Sequence, residues 1–210
     1  GVNSQSYTSR TFGHGLGVAP NVVLMRSLTD AYNWDCYFDT VGADKRLIIN
    51  SSAVAASNTY MNSTAPTSTV FTLKSDSYGN NSNFVAYCFA EKQGYSKFGK
   101  YNGQGTTVGQ FVYTGFRPAW IMVKIATTGG SDTGGWVMFN NKTYPSNLSN
   151  SPVIFANLNN AQSDSYNGEI FSNGFRFNAN SVTVNGAGNT YSYMAFAEAP
   201  LVGSNDIPAN

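Results

Sequence analysis

Two short strings of residues occur twice in this chain, in the same order, and this duplication constrains the fold more than any other feature. The apolar string Pro20–Arg26 (PNVVLMR) has a second version at Pro118–Lys124 (PAWIMVK). Further along, Asn83–Glu91 (NFVAYCFAE) has a second version at Thr190–Glu198 (TYSYMAFAE). Paired anchors in a fixed order indicate a tandem repeat, in which each copy folds as a similar unit.

An alignment built on these anchors extends through the rest of each copy. Trp34 pairs with Trp136, and Phe71 pairs with Phe175. We therefore assign residues 1–91 to the first copy and residues 92–200 to the second. The polar, proline-containing tail at 201–210 is predicted to be a C-terminal arm or linker.

The composition indicates an all-β protein. Aromatic residues make up 14% of the chain and charged residues only 11%, while helix-forming Leu, Glu and Lys are scarce. Short apolar runs between polar and glycine-rich stretches predict six or seven strands in each copy, a pattern typical of an antiparallel β-sandwich. The favoured architecture is two tandem jelly-roll or lectin-like sandwiches. The alternative is one larger jelly roll built from both halves.

Charge and hydropathy exclude two classes of partner. The net charge is +1 and no basic run occurs, which argues against nucleic acid. No apolar run approaches the roughly 20 residues that a membrane-spanning helix needs. A neutral chain rich in Asn, Ser and Thr suits a protein that works outside a cell.

The two cysteines, Cys36 and Cys88, are predicted to be reduced and buried. The alignment pairs them with Met138 and Ala195, which are both apolar. Free cysteine behaves as a small buried apolar residue, so these are positions that a core would tolerate. Reduced thiols also fit assembly in the cytosol, where disulfides are rare.

Three stretches resemble a repeat domain of structural proteins of tailed bacteriophages. They are SKFGKYNGQG from Ser96, FVYTGFRPAWIMVK from Phe111 and YSYMAFAEAP from Tyr191; the opening SYTSRTFGHGLGVAPNVVLMR from Ser6 is similar but more diverged. That domain often occurs with concanavalin-like lectin modules. The resemblance covers nearly the whole chain and implies a virion protein of a tail fibre, a tail tip or the capsid surface. It implies no catalytic or binding residues.

The ionisable residues form no recognisable catalytic constellation. Paired carboxylates would suggest glycoside hydrolysis, but the candidates do not recur between copies and are interpreted as solvated loop residues: Asp35, Asp39, Asp44, Asp132, Asp164 and Glu169. His14 lacks the partners of a triad or a zinc site, and no calcium-loop spacing surrounds Asp30 or Asp132. The segment Gly103–Gly109 lacks the ending of a phosphate loop. We predict no enzymatic activity, no metal and no cofactor.

Aromatic side chains are the candidates for ligand contact. Trp34 and Trp136 are matched between the copies and Trp120 lies in an apolar run, so all three are assigned to the core. Loops drift between the copies while strands persist, and recognition usually uses loops on rigid scaffolds. The candidate glycan-contacting residues are therefore the unmatched loop tyrosines Tyr32, Tyr60, Tyr78, Tyr144 and Tyr166.

Charges of the same sign recur at two aligned positions. Arg26 pairs with Lys124 at the end of the first apolar strand, and Glu91 pairs with Glu198 at the end of the last. We predict partly buried Arg26–Glu91 and Lys124–Glu198 ion pairs, which parallel strands or facing sheets would bring together and antiparallel neighbours would not. The alternative is that all four side chains reach solvent.

The sequence thus predicts a non-enzymatic virion structural protein. We expect it to act in host-surface glycan attachment or virion assembly, with other virion proteins as partners and as a homo-oligomer, a trimer being favoured. The alternative is a carbohydrate-binding module of a larger secreted or viral glycan-degrading enzyme. A glycoside hydrolase is the third interpretation.

Overall fold

A computed structural model of the chain describes residues 9–74, 83–127, 134–143, 151–163 and 165–199. Within these ranges the chain forms fifteen β-strands and no α-helix, which confirms the all-β prediction. The strands are β1 (Ser9–Gly13), β2 (Val22–Ser27), β3 (Asp35–Phe38), β4 (Lys45–Ile48), β5 (Ala56–Ser57), β6 (Val70–Lys74), β7 (Phe84–Phe89), β8 (Ser96–Asn102), β9 (Val112–Tyr113), β10 (Pro118–Thr127), β11 (Val137–Asn140), β12 (Ile154–Phe155), β13 (Gly168–Phe171), β14 (Gly174–Phe177) and β15 (Thr190–Ala197).

The chain divides into two compact units. Unit 1 takes Gly1–Ile48 and Ala55–Ala90, and unit 2 takes Ile49–Val54 and Glu91–Asn210. The segment Ile49–Val54 therefore belongs with unit 2, although the sequence alignment assigned it to the first copy. The tail predicted to be an arm, 201–210, lies outside the described residues.

Among the described residues of unit 1, the strands form two antiparallel sheets. The larger has the strand order β5-β4-β3-β2-β7, and the smaller pairs β1 with β6. The apolar run of β2 is central because it is bonded on both edges, with Leu24 opposite Cys36 on one side and Tyr87 on the other. Alternate residues of β2 are fully buried, and Val23 and Met25 share one hydrophobic cluster with residues of β6.

The described part of unit 2 also forms two antiparallel sheets, ordered β12-β11-β10-β15-β8 and β13-β14-β9. Its central strand β10 has Met122 opposite Met138 on one side and Met194 on the other, so these aligned positions take the register seen in unit 1. One hydrophobic cluster draws on both sheets, with Ile121 of β10 and Phe175 of β14 among its fully buried members. Every second side chain of these strands thus faces the shared core.

Both cysteines are free thiols, as predicted. Cys36 lies opposite Leu24 and Cys88 opposite Val23, which are adjacent residues on β2 and so point to opposite faces of the sheet. Their strands, β3 and β7, lie on either side of β2 and are therefore about 10 Å apart. A disulfide requires Cα atoms within about 7 Å. Cys36 is buried, but Cys88 is only half-buried, because it lines an opening in unit 1; the prediction of burial was wrong for Cys88.

We expect a thiol reagent to distinguish the two cysteines in the native chain. Burial raises the pKa of both thiols, and that of Cys36 is raised further by the neighbouring Asp35 carboxylate. Mass spectrometry should count one label, on Cys88, in the native chain and two labels after unfolding. Two labels in the native chain, or a mass lower by two hydrogens without labelling, would contradict this arrangement.

Candidate functional site

The candidate tyrosines from the sequence occupy different environments. Tyr32 is 46% exposed. Tyr60 is 1% exposed and belongs to the core of unit 1, so its interpretation as a ligand contact was wrong. The cause is that its carbonyl accepts a hydrogen bond from the Lys74 amide at the end of β6, which holds this segment against the core. Tyr166 is half-buried against Phe155. The two others, Tyr78 and Tyr144, lie outside the described residues.

Of the three tryptophans assigned to the core, one is fully buried and two are half-buried. Trp136 is fully buried, which confirms its assignment. Trp34 is half-buried, with its ring stacked on Tyr87 at 6.4 Å between centroids. Trp120 is also half-buried and packs on Phe196. These two rings therefore lie at the margin of the packed regions.

The predicted Lys124–Glu198 ion pair does not form, because β10 and β15 are antiparallel. Lys124 lies opposite Ser192, whereas the strand end next to Glu198 lies opposite Pro118. The Glu198 carboxylate instead pairs with Arg117 at 2.8 Å, with more than a third of each side chain exposed.

The predicted Arg26–Glu91 pair does not form, for the same reason. On the antiparallel strands β2 and β7, Arg26 lies opposite Val85, while Phe89 lies opposite Val22. The end of β7 therefore meets the start of β2. The Arg26 guanidinium instead donates a hydrogen bond to the carbonyl of Tyr32.

An exposed opening that combines aromatic and polar groups lies in unit 2, and we call it the Tyr113 pocket. It has a volume of about 290 Å³. Its lining residues are Glu91, Gln93, Gly94, Ser96, Lys97, Tyr113, Thr114 and Gly115. The Tyr113 side chain is 63% exposed, which makes it one of the most exposed aromatic rings among the described residues.

Two tight turns fix the walls of the Tyr113 pocket. In the first, the amides of Tyr95 and Ser96 both donate to the Lys92 carbonyl, at 3.0 and 2.9 Å. In the second, the Thr114 hydroxyl donates to the Phe116 carbonyl at 2.6 Å. Gly115 has a φ of +83°, which residues with a side chain rarely adopt, so glycine suits this turn. The backbone on both sides of the pocket is therefore held in place without a ligand.

The polar groups of the Tyr113 pocket form a charge-balanced pair. Lys97 Nζ donates to Glu91 Oε1 at 2.6 Å, and about a third of each side chain is exposed. Burial, and then the Glu91 carboxylate, raise the pKa of the nearby Tyr193 to about 12. Its hydroxyl therefore stays protonated at neutral pH. These groups can donate and accept hydrogen bonds. The pocket lining contains no second carboxylate that could act with Glu91 as an acid–base pair.

Sequence reasoning missed Tyr113 because it searched the unmatched loops. Tyr113 lies on a two-residue strand in which Val112 is buried and Tyr113 faces outward. An aromatic residue that follows a buried residue on a short strand and precedes Thr-Gly is the signal that could have identified it. Alternation along a strand turns neighbouring side chains to opposite faces.

A second opening, of about 330 Å³, lies in unit 1. It presents both polar and apolar surface and is lined by Phe12, Gly13, His14, Phe71, Phe84, Ala86 and Cys88. Both ring nitrogens of His14 have partners, since Nδ1 accepts from the Leu16 amide and Nε2 donates to the Thr67 carbonyl. These bonds give His14 a structural role in holding the loop.

Neither opening resembles a metal centre. Across the described ranges, no cluster of three or more His, Cys, Asp or Glu side chains is placed to hold a metal ion. The part of the chain that the structure describes also contains no helix that is long and apolar enough to cross a membrane.

Lys124 of unit 2 is fully buried, which is rare for a charged residue. Its ammonium group donates to the carbonyl oxygens of Gly134, at 2.6 Å, and Ser52, at 2.7 Å. The Gly134 amide also donates to Ser52 O, at 3.2 Å. We call this arrangement the lysine clasp. It fastens the segment Ile49–Val54 to unit 2, which explains why that segment leaves the first copy.

These features define an all-β protein with antiparallel sheets and an exposed aromatic–polar opening on a rigid scaffold. The chain belongs to the family described as Domain of unknown function (DUF7483), whose model matches residues 2–200. No curated protein and no solved structure was found to be similar to it.

The lysine clasp predicts a characteristic pH dependence of stability. Removal from water lowers the pKa of Lys124 from its ordinary value of 10.5 to about 8. Between these values the unfolded chain binds a proton at this lysine and the folded chain does not, so the contribution of Lys124 to stability rises with pH. Across the whole pH range between the two pKa values, this contribution to the unfolding free energy would rise by about 3 kcal/mol. Replacing Lys124 with Met should abolish it.

Urea unfolding from pH 7 to pH 9.5 would test this expectation. The unfolding free energy of the wild-type chain should rise with pH relative to that of Lys124→Met, while the exposed Lys100→Met control should follow the wild type. Burial raises the pKa of Tyr37 and Tyr193 to about 12, so their ionisation in the unfolded chain lowers stability above about pH 10 in every variant. Parallel stability curves for the wild type and Lys124→Met would show that the buried lysine keeps an ordinary pKa.

Proposed function

We propose that this chain is a non-enzymatic binding module of a tailed-bacteriophage virion and attaches to a glycan of the host surface through the Tyr113 pocket. In this proposal it belongs to a tail fibre, a tail tip or the capsid surface, and its partners are other virion proteins and further copies of itself. The observation that carries the proposal is the exposed Tyr113 ring beside a charge-balanced group of hydrogen-bonding side chains.

The proposed architecture is a tandem pair of lectin-like β-sandwich repeats. It is supported by the common register of β2 and β10 with their neighbours, in which aligned residues occupy equivalent positions. In each unit a cluster of apolar side chains joins residues of the larger and the smaller sheet. Rigid sandwiches of this kind present binding groups at their surface without large rearrangement.

The chemistry of the Tyr113 pocket suits a sugar. A tyrosine ring offers an apolar face for the C–H face of a pyranose and a hydroxyl for its polar edge. Glu91 and Lys97 place an acceptor and a donor on the same wall, and Gln93 adds an amide. Because the ion pair carries no net charge, the pocket favours a neutral, hydroxyl-rich group over a strongly charged one.

The composition of the pocket also supports a non-enzymatic role. Glycoside hydrolases place two carboxyl groups on either side of the scissile bond. Glu91 is the single carboxylate among the lining residues, and it is neutralised by Lys97 at 2.6 Å. A carbohydrate-binding module of a larger glycan-degrading enzyme would use the same pocket. Mass spectrometry of purified virions would separate the two: presence of the chain would favour the virion protein, and its absence would favour this alternative.

A bacterial glycan array would test the role of Tyr113. We expect the chain to bind bacterial surface glycans, and Tyr113→Ala to bind about tenfold more weakly because the stacking face is lost. Tyr32→Ala is the matched control, since Tyr32 is also an exposed tyrosine but lies in unit 1. Melting temperatures would show that both variants fold.

Two outcomes would count against the proposal. Absence of binding to every bacterial glycan would remove the attachment function. Loss of binding in Tyr32→Ala, with Tyr113→Ala unaffected, would move the site to unit 1.

The virion role also predicts self-association. We expect light scattering to give a particle mass about three times that of one chain, as for symmetric fibre and tip proteins. A monomer at all concentrations, together with absence of the chain from purified virions, would contradict a virion assembly role.

A further inference from the structure

The outer face of the three-stranded sheet in unit 2 continues from the Tyr113 pocket. Alternation along β9, β13 and β14 turns Val112 and Phe175 into the core. It leaves Tyr113, Phe171 and Arg176 on the outer face, where they are exposed or half-buried. The Tyr113 ring therefore belongs both to the pocket and to the outer face of this sheet.

An aromatic row crosses this surface over a glycine. Gly174 lies opposite Tyr113 on one side and opposite Phe171 on the other. Phe111, which is 42% exposed, lies above Gly174 and packs edge-to-face on Phe171, with 5.5 Å between ring centroids. A Cβ atom on Gly174 would come within 2.7 Å of the Phe111 ring and 2.2 Å of the Val112 carbonyl, so only glycine allows this approach.

A second charge-balanced pair borders the row. The Arg176 guanidinium donates to Glu169 at 2.6 Å and lies 5.3 Å from the centre of the Phe171 ring. The ring holds the guanidinium by a cation–π contact while the carboxylate neutralises it. We call the surface formed by Phe111, Phe171, Glu169 and Arg176 the aromatic platform. It repeats the composition of the Tyr113 pocket, which is an aromatic face beside a neutralised ion pair.

We infer that the ligand is an uncharged oligosaccharide of at least two consecutive sugar units, one in the Tyr113 pocket and the next on the aromatic platform. This inference rests on the proposed glycan-binding function. Tyr113 and Phe171 lie on strands two spacings apart, about 10 Å, which is wider than a single pyranose ring. One sugar therefore cannot cover both rings, whereas consecutive units of a chain can.

Charge favours a neutral glycan over an acidic polymer. Each cation on this surface is in contact with a carboxylate: Lys97 with Glu91 and Arg176 with Glu169, both at 2.6 Å. An acidic polymer would have to compete with a carboxylate for each cation. The hydroxyl groups of a neutral sugar can add hydrogen bonds to both pairs without separating the charges.

A length series of sugars would test the two-subsite arrangement. The probes are the monosaccharide, disaccharide and trisaccharide fragments of the bacterial polysaccharide that binds most strongly on the glycan array. Calorimetry should show that the wild-type chain binds the disaccharide about tenfold more tightly than the monosaccharide, or about 1.4 kcal/mol. Phe111→Ala should lose this gain and keep the monosaccharide affinity, while Tyr113→Ala should weaken both.

Two further variants show whether a loss of affinity is specific to the platform. Val108→Ala removes an exposed apolar side chain from the preceding loop and should leave every affinity unchanged. Arg176→Gln removes the cation from the platform without removing an aromatic ring, and should also reduce the gain from the second sugar. Melting temperatures of all variants identify any loss of folding.

The outcomes separate the inference from the function on which it rests. If the wild type binds the disaccharide no better than the monosaccharide, and Tyr113→Ala still weakens binding, the platform is no subsite and the glycan-binding function stands. If no sugar binds, both are overturned. If Phe111→Ala leaves the length series unchanged but abolishes trimer formation, the platform is a protein interface and the inference is overturned.

Discussion

Burial of the central strand on both of its faces is the constraint on which unit 2 depends. β10 is hydrogen-bonded along both edges, to β11 and to β15. Ile121, Val123 and Ile125 are fully buried on the side of the hydrophobic cluster. On the opposite side, Met122 and Lys124 are buried as well. A strand enclosed in this way fixes its neighbours, because a register shift of one residue would exchange its two faces. The lysine clasp adds a specific requirement, since a buried ammonium group must find acceptors.

The strands were predictable because each signal was local to a few residues. Uninterrupted apolar runs marked β2 and β10, and the duplicated strings marked the strands that pair with them. The ion pairs were not predictable, because aligned charges show which positions correspond but not whether two strands run parallel. Once the strands are antiparallel, Lys124 and Glu198 are at opposite ends of the same pair.

The surface was predicted less well than the core, since exposure depends on packing between distant parts of the chain. Tyr60 lies in a stretch of Ser, Thr, Ala and Asn without periodicity, yet a backbone bond to Lys74 holds it in the core. Tyr113 lies in a string that the sequence identified as structural, yet its ring is exposed because it faces away from the core that its neighbour Val112 enters. Repeat matching therefore distinguished strand from loop, but it did not distinguish the inward from the outward residues of a short strand.

The lysine clasp has a consequence for the duplication itself. Two identical copies of a domain can in principle be separated, exchanged or lost one at a time. Here the acceptor Ser52 precedes the second copy by some distance in the chain, and yet the segment Ile49–Val54 completes the second compact unit. A fragment that starts at residue 92 would leave the buried ammonium of Lys124 without one of its two carbonyl acceptors. A cut at the boundary between the two stretches of sequence would therefore remove part of unit 2.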